Sequence, residues 1–372
     1  MSTADTQSLF TPLQLGSVSL KHRVEMAPLT RSRTPQPSAV PNELMAAYYA
    51  QRASDGGLIV SEATNISLTS RGWYGAPGLW NDEQVEGWKR VVKAVQAKGG
   101  IMFSQLWHTG RASHVSVSAV TPVTASVNPG YWQDPTILES TPTGWQQPSP
   151  HRALEIREIK AIVDDYGAAA LRAIAAGFDG VELHAGNGYL IDQFLQDGSN
   201  HRTDSYGGSI LNRVRLLIEV TEAVTGAVGS DRVGIRIAPG GLWNGMGDSN
   251  PDALFDHVAR ELGRFNLAYL HVIEPRVKGN TTIHPEQGPI ASRRLKKIFK
   301  GAVISAGGYK PDSAATAVRT GDADAAAFGK YFVSNPDLVR RIREGFPLTP
   351  YNRDTFYTFE PEGYIDYKPY AA

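Results

Sequence analysis

Eight short apolar segments alternate with longer amphipathic segments along this chain of 372 residues. The apolar segments span residues 24–27, 58–61, 101–106, 180–184, 233–238, 269–273, 302–305 and 325–329. Alternation of strand and helix is typical of parallel sheets, and eight such units favour a closed (β/α)8 barrel, the TIM barrel. An open Rossmann-type sheet with a second domain is the alternative, but no G-x-G-x-x-G motif follows the first strand.

The predicted helices span residues 42–54, 83–98, 155–176, 212–228, 252–265, 292–299, 311–320 and 336–345. Two further segments depart from a plain barrel. Residues 9–24 hold a short alternating pattern with a proline and a glycine, which predicts an N-terminal hairpin that plugs the barrel floor. Residues 112–152 are too long for a connector and predict a capping insertion, or lid, after the third strand. We therefore expect residues 1–372 to form a single TIM-barrel domain.

Composition excludes several classes of protein. The 37 basic and 37 acidic residues give zero net charge, so the chain has no basic field with which to bind nucleic acid. The absence of cysteine excludes disulfides, thiolate metal sites and cysteine nucleophiles. Without a signal-peptide core or an apolar run of membrane-spanning length, the sequence predicts a cytoplasmic protein that does not bind membranes.

A histidine, an amide and a phenol follow the fourth predicted strand, at His184, Asn187 and Tyr189. The carboxyl ends of barrel strands form the catalytic face of TIM-barrel enzymes. These three groups can hydrogen-bond a polarised oxygen and deliver a proton, and neither task requires a metal or a nucleophile. A loop that satisfies only its own backbone is the alternative interpretation.

Polar side chains also lie at the ends of other predicted strands. Thr30 follows the first strand, where its hydroxyl either donates to a ligand carbonyl or bonds its own backbone. Gln105, near the end of the third strand, suits the amide edge of a pyrimidine-like ring. Arg236, within the fifth strand, requires an anionic partner because burial of a lone charge is costly. It either pairs with Glu182 or stabilises negative charge on a bound ring.

Glycines follow the last two predicted strands, at Gly307-Gly308 and at Gly329-Lys330. In TIM barrels these two loops frequently bind phosphate through backbone N–H groups and a helix N-terminus. Pro311 suits the first position of the helix that follows, and Lys330 supplies a positive charge. A phosphate on one side and a polar ring edge on the other outline flavin mononucleotide (FMN).

Six motifs occur in a specific order and spacing: MAPLTR at residues 26–31, QLWHTGR at 105–111, GFDGVELH at 177–184, NGYLIDQFL at 187–195, NHRTDSYGG at 200–208 and GYIDY at 363–367. On these motifs, from about residue 9 to residue 367, the chain resembles the Old Yellow Enzyme family of FMN-dependent ene-reductases. Members of this family use NAD(P)H to reduce FMN, and hydride then passes to the β-carbon of an α,β-unsaturated carbonyl. Nitroalkenes and nitrate esters are further substrate classes.

The resemblance implies a set of site residues. FMN is expected to contact Pro28, Leu29, Thr30, Ala63, Gln105, Arg236, Gly307, Gly308, Gly329 and Lys330. His184 and Asn187 are expected to bind the substrate oxygen, and Tyr189 to protonate the α-carbon. The substrate tunnel is expected to be lined by Trp73, Trp107 and Tyr357. The family also implies small activated alkenes as substrates, NADPH in preference to NADH, no metal, and a monomer or homodimer.

At three positions this chain differs from some or most members of the family. Lys330 stands where the family usually has arginine, and it keeps the charge without the bidentate fork. Thr30 places the chain apart from a subgroup that carries cysteine there. Asn187 stands where some relatives carry histidine, which changes the donor geometry.

Other functions predict other residues. A metal-dependent lyase or hydrolase would use Glu182 and His184, which strand alternation places on one side, but further ligands at the strand ends are sparse. His108 is interpreted as a structural histidine. Other FMN barrels, such as 2-hydroxy-acid oxidases, do not share the set formed by His184, Asn187 and Tyr189. A non-catalytic binding protein would not concentrate polar groups at the strand ends.

Overall fold

The computed structural model describes residues 6–279 and 281–371. Its central feature is a closed barrel of parallel strands: β1 (Val24–Met26), β2 (Leu58–Val60), β3 (Ile101–Trp107), β4 (Gly180–Ala185), β5 (Val233–Ile237), β6 (Tyr269–Ile273), β7 (Val303–Ala306) and β8 (Ala325–Phe328). Each strand pairs with the next in chain order, and the pairing of β8 with β1 closes the ring. The predicted (β/α)8 barrel is therefore confirmed, and the open sheet is wrong.

Eight helices accompany the strands: α1 (Glu43–Arg52), α2 (Asp82–Gln96), α3 (Ile156–Ala175), α4 (Ile210–Val228), α5 (Pro251–Leu262), α6 (Ile290–Phe299), α7 (Pro311–Arg319) and α8 (Leu338–Glu344). All lie within three residues of their predicted bounds. Their starts have local causes: the side chain of Asn42 caps α1, and Pro251 and Pro311 occupy the first turns of α5 and α7. The buried faces of these helices pack against the outside of the barrel.

A hairpin of two short strands, Leu13–Leu15 and Val18–Leu20, closes the amino-terminal end of the barrel. Leu15 is fully buried in a cluster with side chains from inside the barrel: Leu58, Val60, Phe103, Tyr269 and Ile304. The backbone N–H of Ser17 donates to the carbonyl of Asp231, which lies just before β5. The predicted floor plug is thus present.

The segment between β3 and α3 folds over the opposite end of the barrel. It contains the short helices Val115–Ser118 and Pro129–Gln133 and a hairpin of Glu139–Thr141 with Gly144–Gln146. Within it, Val123–Thr124 pairs in parallel with Arg152–Ala153. The hairpin is tied to the loop after β2, because the N–H of Tyr74 donates to the carbonyl of Ser140.

The remaining elements are short. Strand Thr64–Asn65 pairs with the end of β3, and Val277–Lys278 pairs with Thr281–Thr282 after β6. Helices Leu190–Leu195 and Lys330–Ser334 follow β4 and β8, and 3-10 turns occupy Gln7–Phe10, Leu68–Ser70, Ser230–Arg232, Trp243–Gly245 and Arg353–Thr355. Within the part of the chain that the structure describes, no helix combines the length and apolar character needed to cross a bilayer.

The floor plug gives a first prediction. Leu15→Ala leaves a cavity in a fully buried cluster, so we expect the free energy of unfolding to fall by about 2–5 kcal/mol. Urea denaturation followed by circular dichroism measures it. The matched control is Leu211→Ala, since Leu211 is 65% exposed on α4 and its loss should change the unfolding free energy by less than about 0.5 kcal/mol. Equal effects of the two substitutions would show that the hairpin is not a structural plug.

A second prediction concerns His108, which is buried just after β3. Burial disfavours the charged ring and lowers the pKa of His108 to about 3. The unfolded chain binds a proton on this histidine near pH 6.5, whereas the folded chain does so only near pH 3. Stability that is present above pH 6.5 is therefore lost as pH falls toward 3. Nδ1 of His108 accepts from the N–H of Gly110, and asparagine can replace that acceptor without titrating.

We expect His108→Asn to remove about 2 kcal/mol of the stability loss that the wild type shows between pH 7 and pH 5. Urea titrations at several pH values measure the difference. His201→Asn, at an exposed histidine, is the control and should leave the wild-type pH dependence unchanged. Parallel pH profiles for wild type and His108→Asn would contradict a neutral buried histidine at this position.

Candidate active site

The carboxyl ends of the strands surround a cavity of about 860 Å³. Its walls contain every residue that the sequence predicted for the site except one: Pro28, Leu29, Thr30, Ala63, Trp73, Gln105, His184, Asn187, Tyr189, Arg236, Gly307, Gly308, Gly329, Lys330 and Tyr357. These residues come from seven different strand ends and from the C-terminal segment. The barrel thus brings together side chains that are up to 329 positions apart in the sequence, from Pro28 to Tyr357.

His184 and Tyr189 stand side by side in one wall of the cavity. Their ring centres are 5.0 Å apart, and His184 is only 3% exposed. Burial, with Arg236 nearby, lowers the pKa of His184 well below its usual value, so its ring is neutral at neutral pH. Burial also raises the pKa of Tyr189, which keeps its hydroxyl protonated. The wall therefore offers a neutral imidazole and a phenolic proton.

Asn187 reaches the cavity from a tight turn between those two residues. Its φ is +58°, a conformation that asparagine tolerates better than other non-glycine residues. A Cβ at Gly188 would lie 2.6 Å from Cβ of Asn244, so only glycine fits next to it. Nδ2 of Asn244 donates to the carbonyl of Asn187 at 3.0 Å, which fixes the turn.

Aromatic rings form the outer wall. The centres of Trp73 and Tyr357 lie 5.2 Å apart, and Trp145, on the hairpin of the insertion, lies 5.4 and 5.6 Å from them. Trp107 differs from the expectation, because it is fully buried and packs edge-on against the back of Tyr189 at 4.8 Å. It supports the wall and does not line it. Trp145 was missed, since it lies in a segment without strand or helix periodicity.

The polar edge of the cavity is built on a buried carboxylate. Glu182 is fully buried and accepts from Nε2 of Gln105 at 2.7 Å, from Nδ1 of His271 at 2.8 Å and from the hydroxyl of Tyr269 at 3.1 Å. Burial opposes its ionisation, but His271, Arg236 and Gln105 together hold the pKa of Glu182 below its usual value. The carboxylate is therefore charged.

Arg236 lies beside this network without a direct bond to it. Its Nε is buried and has no hydrogen-bond partner among the described residues, although Glu182 and Glu25 both favour its charge. The interpretation of Arg236 as one half of a close ion pair with Glu182 is thus not what the structure shows. The residue lines the cavity, and its positive charge is suited to an anionic ligand group.

Three possible metal ligands lie together near the cavity, and His184 is not one of them. Among the described residues, the ligand atoms of Glu25, Glu182 and His271 lie within 4.8 Å of one another. The oxygens of Glu182 already accept three hydrogen bonds, and Arg236 places a positive charge nearby, which disfavours a cation there.

The opposite side of the cavity is formed by glycines and cations. Gly307 and Gly308 have φ of +154° and +67°, and a Cβ at Gly307 would lie 2.8 Å from Cβ of Glu274. Helix α7 begins directly after them, with its N-terminus next to the cavity lining. Lys330 lies 5.2 Å from the ring centre of Tyr351. Backbone N–H groups, a helix N-terminus and a lysine are the elements of a phosphate site.

Sequence reasoning missed Tyr269 and His271 as parts of the site. A signal was present, because they occupy alternate positions of an otherwise apolar strand, which places both side chains inside the barrel. The sequence pattern of one strand does not show which residues of another strand its side chains contact. The pairing of Glu182 with Gln105 across β3 and β4 becomes visible only with the register.

Comparison with known proteins agrees with this geometry. A model of the NADH:flavin oxidoreductase / NADH oxidase family matches residues 8–349. The chain is 43% identical over 394 residues to a flavin oxidoreductase of Emericella nidulans, covering 100% of this chain and 99% of that protein. It is 43% identical over 371 residues to 12-oxophytodienoate reductase 2 of Arabidopsis thaliana, covering 96% and 95%.

Solved structures give the same result. Morphinone reductase matches with a TM-score of 0.90 and 47% identity, covering 97% of this chain and 96% of that one. The Old Yellow Enzyme homologue of Zymomonas mobilis matches with a TM-score of 0.89 and 42% identity, covering 97% and 99%. The family is one whose cofactor is FMN. Barrel, cavity and relatives together show that this chain belongs to the Old Yellow Enzyme family of flavin-dependent oxidoreductases.

Proposed function

We propose that the protein is an FMN-dependent ene-reductase that uses NAD(P)H to reduce α,β-unsaturated carbonyl compounds. One observation carries this proposal: a neutral histidine, an amide and a protonated phenol face the same cavity as two glycine-containing loops, a lysine and the polar side chains of Gln105 and Arg236. Nitroalkenes and nitrate esters present similar oxygen atoms and are further candidate substrates.

The residues of the cavity match the parts of FMN. Gly307, Gly308, Gly329 and Lys330 suit the phosphate, and Gln105 suits the polar edge of the ring. The positive charge of Arg236, in the cavity wall, suits an edge that gains negative charge. When bound, FMN supplies the hydride that passes from the nicotinamide nucleotide to the alkene. Binding and proton transfer are left to the protein.

His184 and Asn187 hold the oxygen of the substrate. Each can donate one hydrogen bond to it, and these bonds strengthen as negative charge develops on that oxygen, a contribution of about 3 kcal/mol per donor. The neutral state of His184 suits this role, because a ring N–H remains available without a full charge. Tyr189, on the same wall, then protonates the α-carbon, a general-acid contribution of roughly 10²–10⁴ in rate.

Several finer features of the proposal rest on the resemblance. A solved structure of morphinone reductase, 46% identical to this chain, is a complex with tetrahydroNAD, which supports a nicotinamide nucleotide as reductant. Preference for NADPH over NADH, a cytoplasmic location, a single domain with residues 112–152 as a lid, and a monomeric or dimeric state stay predictions. Steady-state rates with both nucleotides test the first of these.

The role of Tyr189 gives a third prediction. Tyr189→Phe removes the proton donor but keeps the ring that packs against His184 and Trp107, so we expect alkene reduction to slow by about 10²–10⁴. Reduction of the flavin by NADPH should change by less than about twofold, since no proton is required from Tyr189 in that step. Stopped-flow absorbance separates the two half-reactions. Equal losses in both would contradict a proton-donor role.

The oxygen-binding pair gives a fourth prediction. Phenolates resemble the anion that develops on the substrate oxygen, so His184→Ala and Asn187→Gly should each weaken the binding of a phenol by at least about tenfold. Glycine is used at position 187 because it accepts the positive φ found there. Titration of the flavin absorbance with the phenol gives the dissociation constant. His108→Asn, at a buried histidine that does not line the cavity, is the control, and an unchanged affinity in His184→Ala refutes the assignment.

A further inference from the structure

Glu182 is a charged group near the cavity to which the proposed function assigns no role. It is fully buried in β4 and does not line the cavity, yet the wall residue Gln105 is bonded to it. In the parallel pairing of β3 with β4, Glu182 lies directly opposite Gln105. The barrel itself thus holds the carboxylate next to the amide.

The hydrogen bond to Glu182 fixes which end of the Gln105 amide faces the cavity. A carboxylate only accepts hydrogen bonds, so it must bind the NH2 end of the amide, and the Nε2 to Oε1 distance is 2.7 Å. The two ends of an amide point in different directions. With one N–H held by Glu182 and the side chain in the cavity wall, the carbonyl oxygen of Gln105 is left for a ligand, beside the second N–H of the same amide.

Glu182 is itself held in place from β6. The hydroxyl of Tyr269 and Nδ1 of His271 both donate to its second oxygen, at 3.1 and 2.8 Å. All three groups are fully buried, so water does not compete for these bonds. The carboxylate is therefore held in one position and acts only as an acceptor. The NH2 group of Gln105 must consequently point toward it.

We propose that Glu182 is a positioning residue that makes Gln105 present an acceptor to the bound ring, and that it thereby sets the affinity and selectivity for FMN. This inference rests on the proposed function, because it requires FMN in the cavity. The polar edge of the flavin carries an imide N–H at N3 between two carbonyls. An amide oxygen accepts from that N–H, whereas an amide NH2 group turned toward it would meet another donor.

The substitution that tests this is Glu182→Gln. The introduced amide has nearly the same shape, but it can offer NH2 to Gln105, which allows the Gln105 amide to turn over and present its own NH2 to the ring. The probe is the ratio of two dissociation constants for the apoprotein, that of N3-methyl-FMN to that of FMN. Loss of charge near Arg236 acts on both ligands alike, so it cancels in the ratio.

We expect the wild-type apoprotein to bind FMN at least about tenfold more tightly than N3-methyl-FMN, as measured by quenching of flavin fluorescence. In Glu182→Gln this ratio should fall at least fivefold. In Gln105→Ala it should also fall, and adding Glu182→Gln to that variant should change it less than twofold, since the effect passes through Gln105.

Glu274→Gln is the matched control. Glu274 is equally buried and accepts hydrogen bonds from Ala291, Ser292 and Ser305, none of which lines the cavity. In Glu274→Gln the ratio of the two dissociation constants should equal that of the wild type. Circular dichroism of the apoproteins shows whether each variant folds. If Glu182→Gln does not fold, the double variant Glu182→Met/Tyr269→Phe replaces it. This variant removes the carboxylate that holds the NH2 end of Gln105, together with the hydroxyl that would lose its acceptor, and it should lower the ratio at least twofold.

An unchanged ratio in a folded Glu182→Gln, or in Glu182→Met/Tyr269→Phe when that variant decides, overturns the inference and leaves the proposed function intact. An equal fall in Glu274→Gln also overturns it, because any buried carboxylate would then have the same effect. A wild-type apoprotein that binds neither flavin overturns the proposed function and this inference together.

Discussion

Closure of the parallel barrel is the constraint on which the rest of the structure depends. Because every strand runs in the same direction and β8 pairs with β1, the carboxyl ends of all eight strands form one rim. Residues far apart in the chain, such as Thr30 and Lys330, therefore line one cavity. The hairpin at the opposite end seals the floor with apolar side chains, which leaves the rim as the place where polar groups can meet a ligand.

A second constraint follows from polar residues inside the barrel. Glu182 is a charged group that is fully buried, and Arg236 is half-buried beside it in the cavity wall. Buried charges are tolerated only with partners. Glu182 obtains three hydrogen bonds from neighbouring strands, whereas Arg236 lines the cavity, where its charge can meet a ligand. The buried carboxylate of Glu182 and the cavity-lining guanidinium of Arg236 thus belong to one arrangement of neighbouring charges. This arrangement exists before a ligand binds.

The strands, the helices and most of the cavity residues could be predicted from the sequence, because each is indicated by a local pattern of residues. The apolar period and the alternation of strands with helices located all eight strands to within one residue. Site residues were predicted at seven strand ends, and all of them except Trp107 line the cavity, whereas none was predicted at the end of β6. What failed depends on contacts between strands or on irregular segments. The partners of Glu182 require the register of β3, β4 and β6, and Trp145 lies in an insertion without periodicity. Trp107 was placed on the cavity surface because strand alternation does not show that Tyr189 covers it.

The central claim is that this rim holds FMN through a phosphate loop on one side and a polar ring edge on the other. Equilibrium dialysis of the apoprotein against FMN and against riboflavin tests it most directly, because riboflavin has the same ring without the phosphate. The account predicts one FMN bound per chain and an affinity for riboflavin that is lower by at least about tenfold. Uptake of neither flavin, or equal affinity for both, would contradict it.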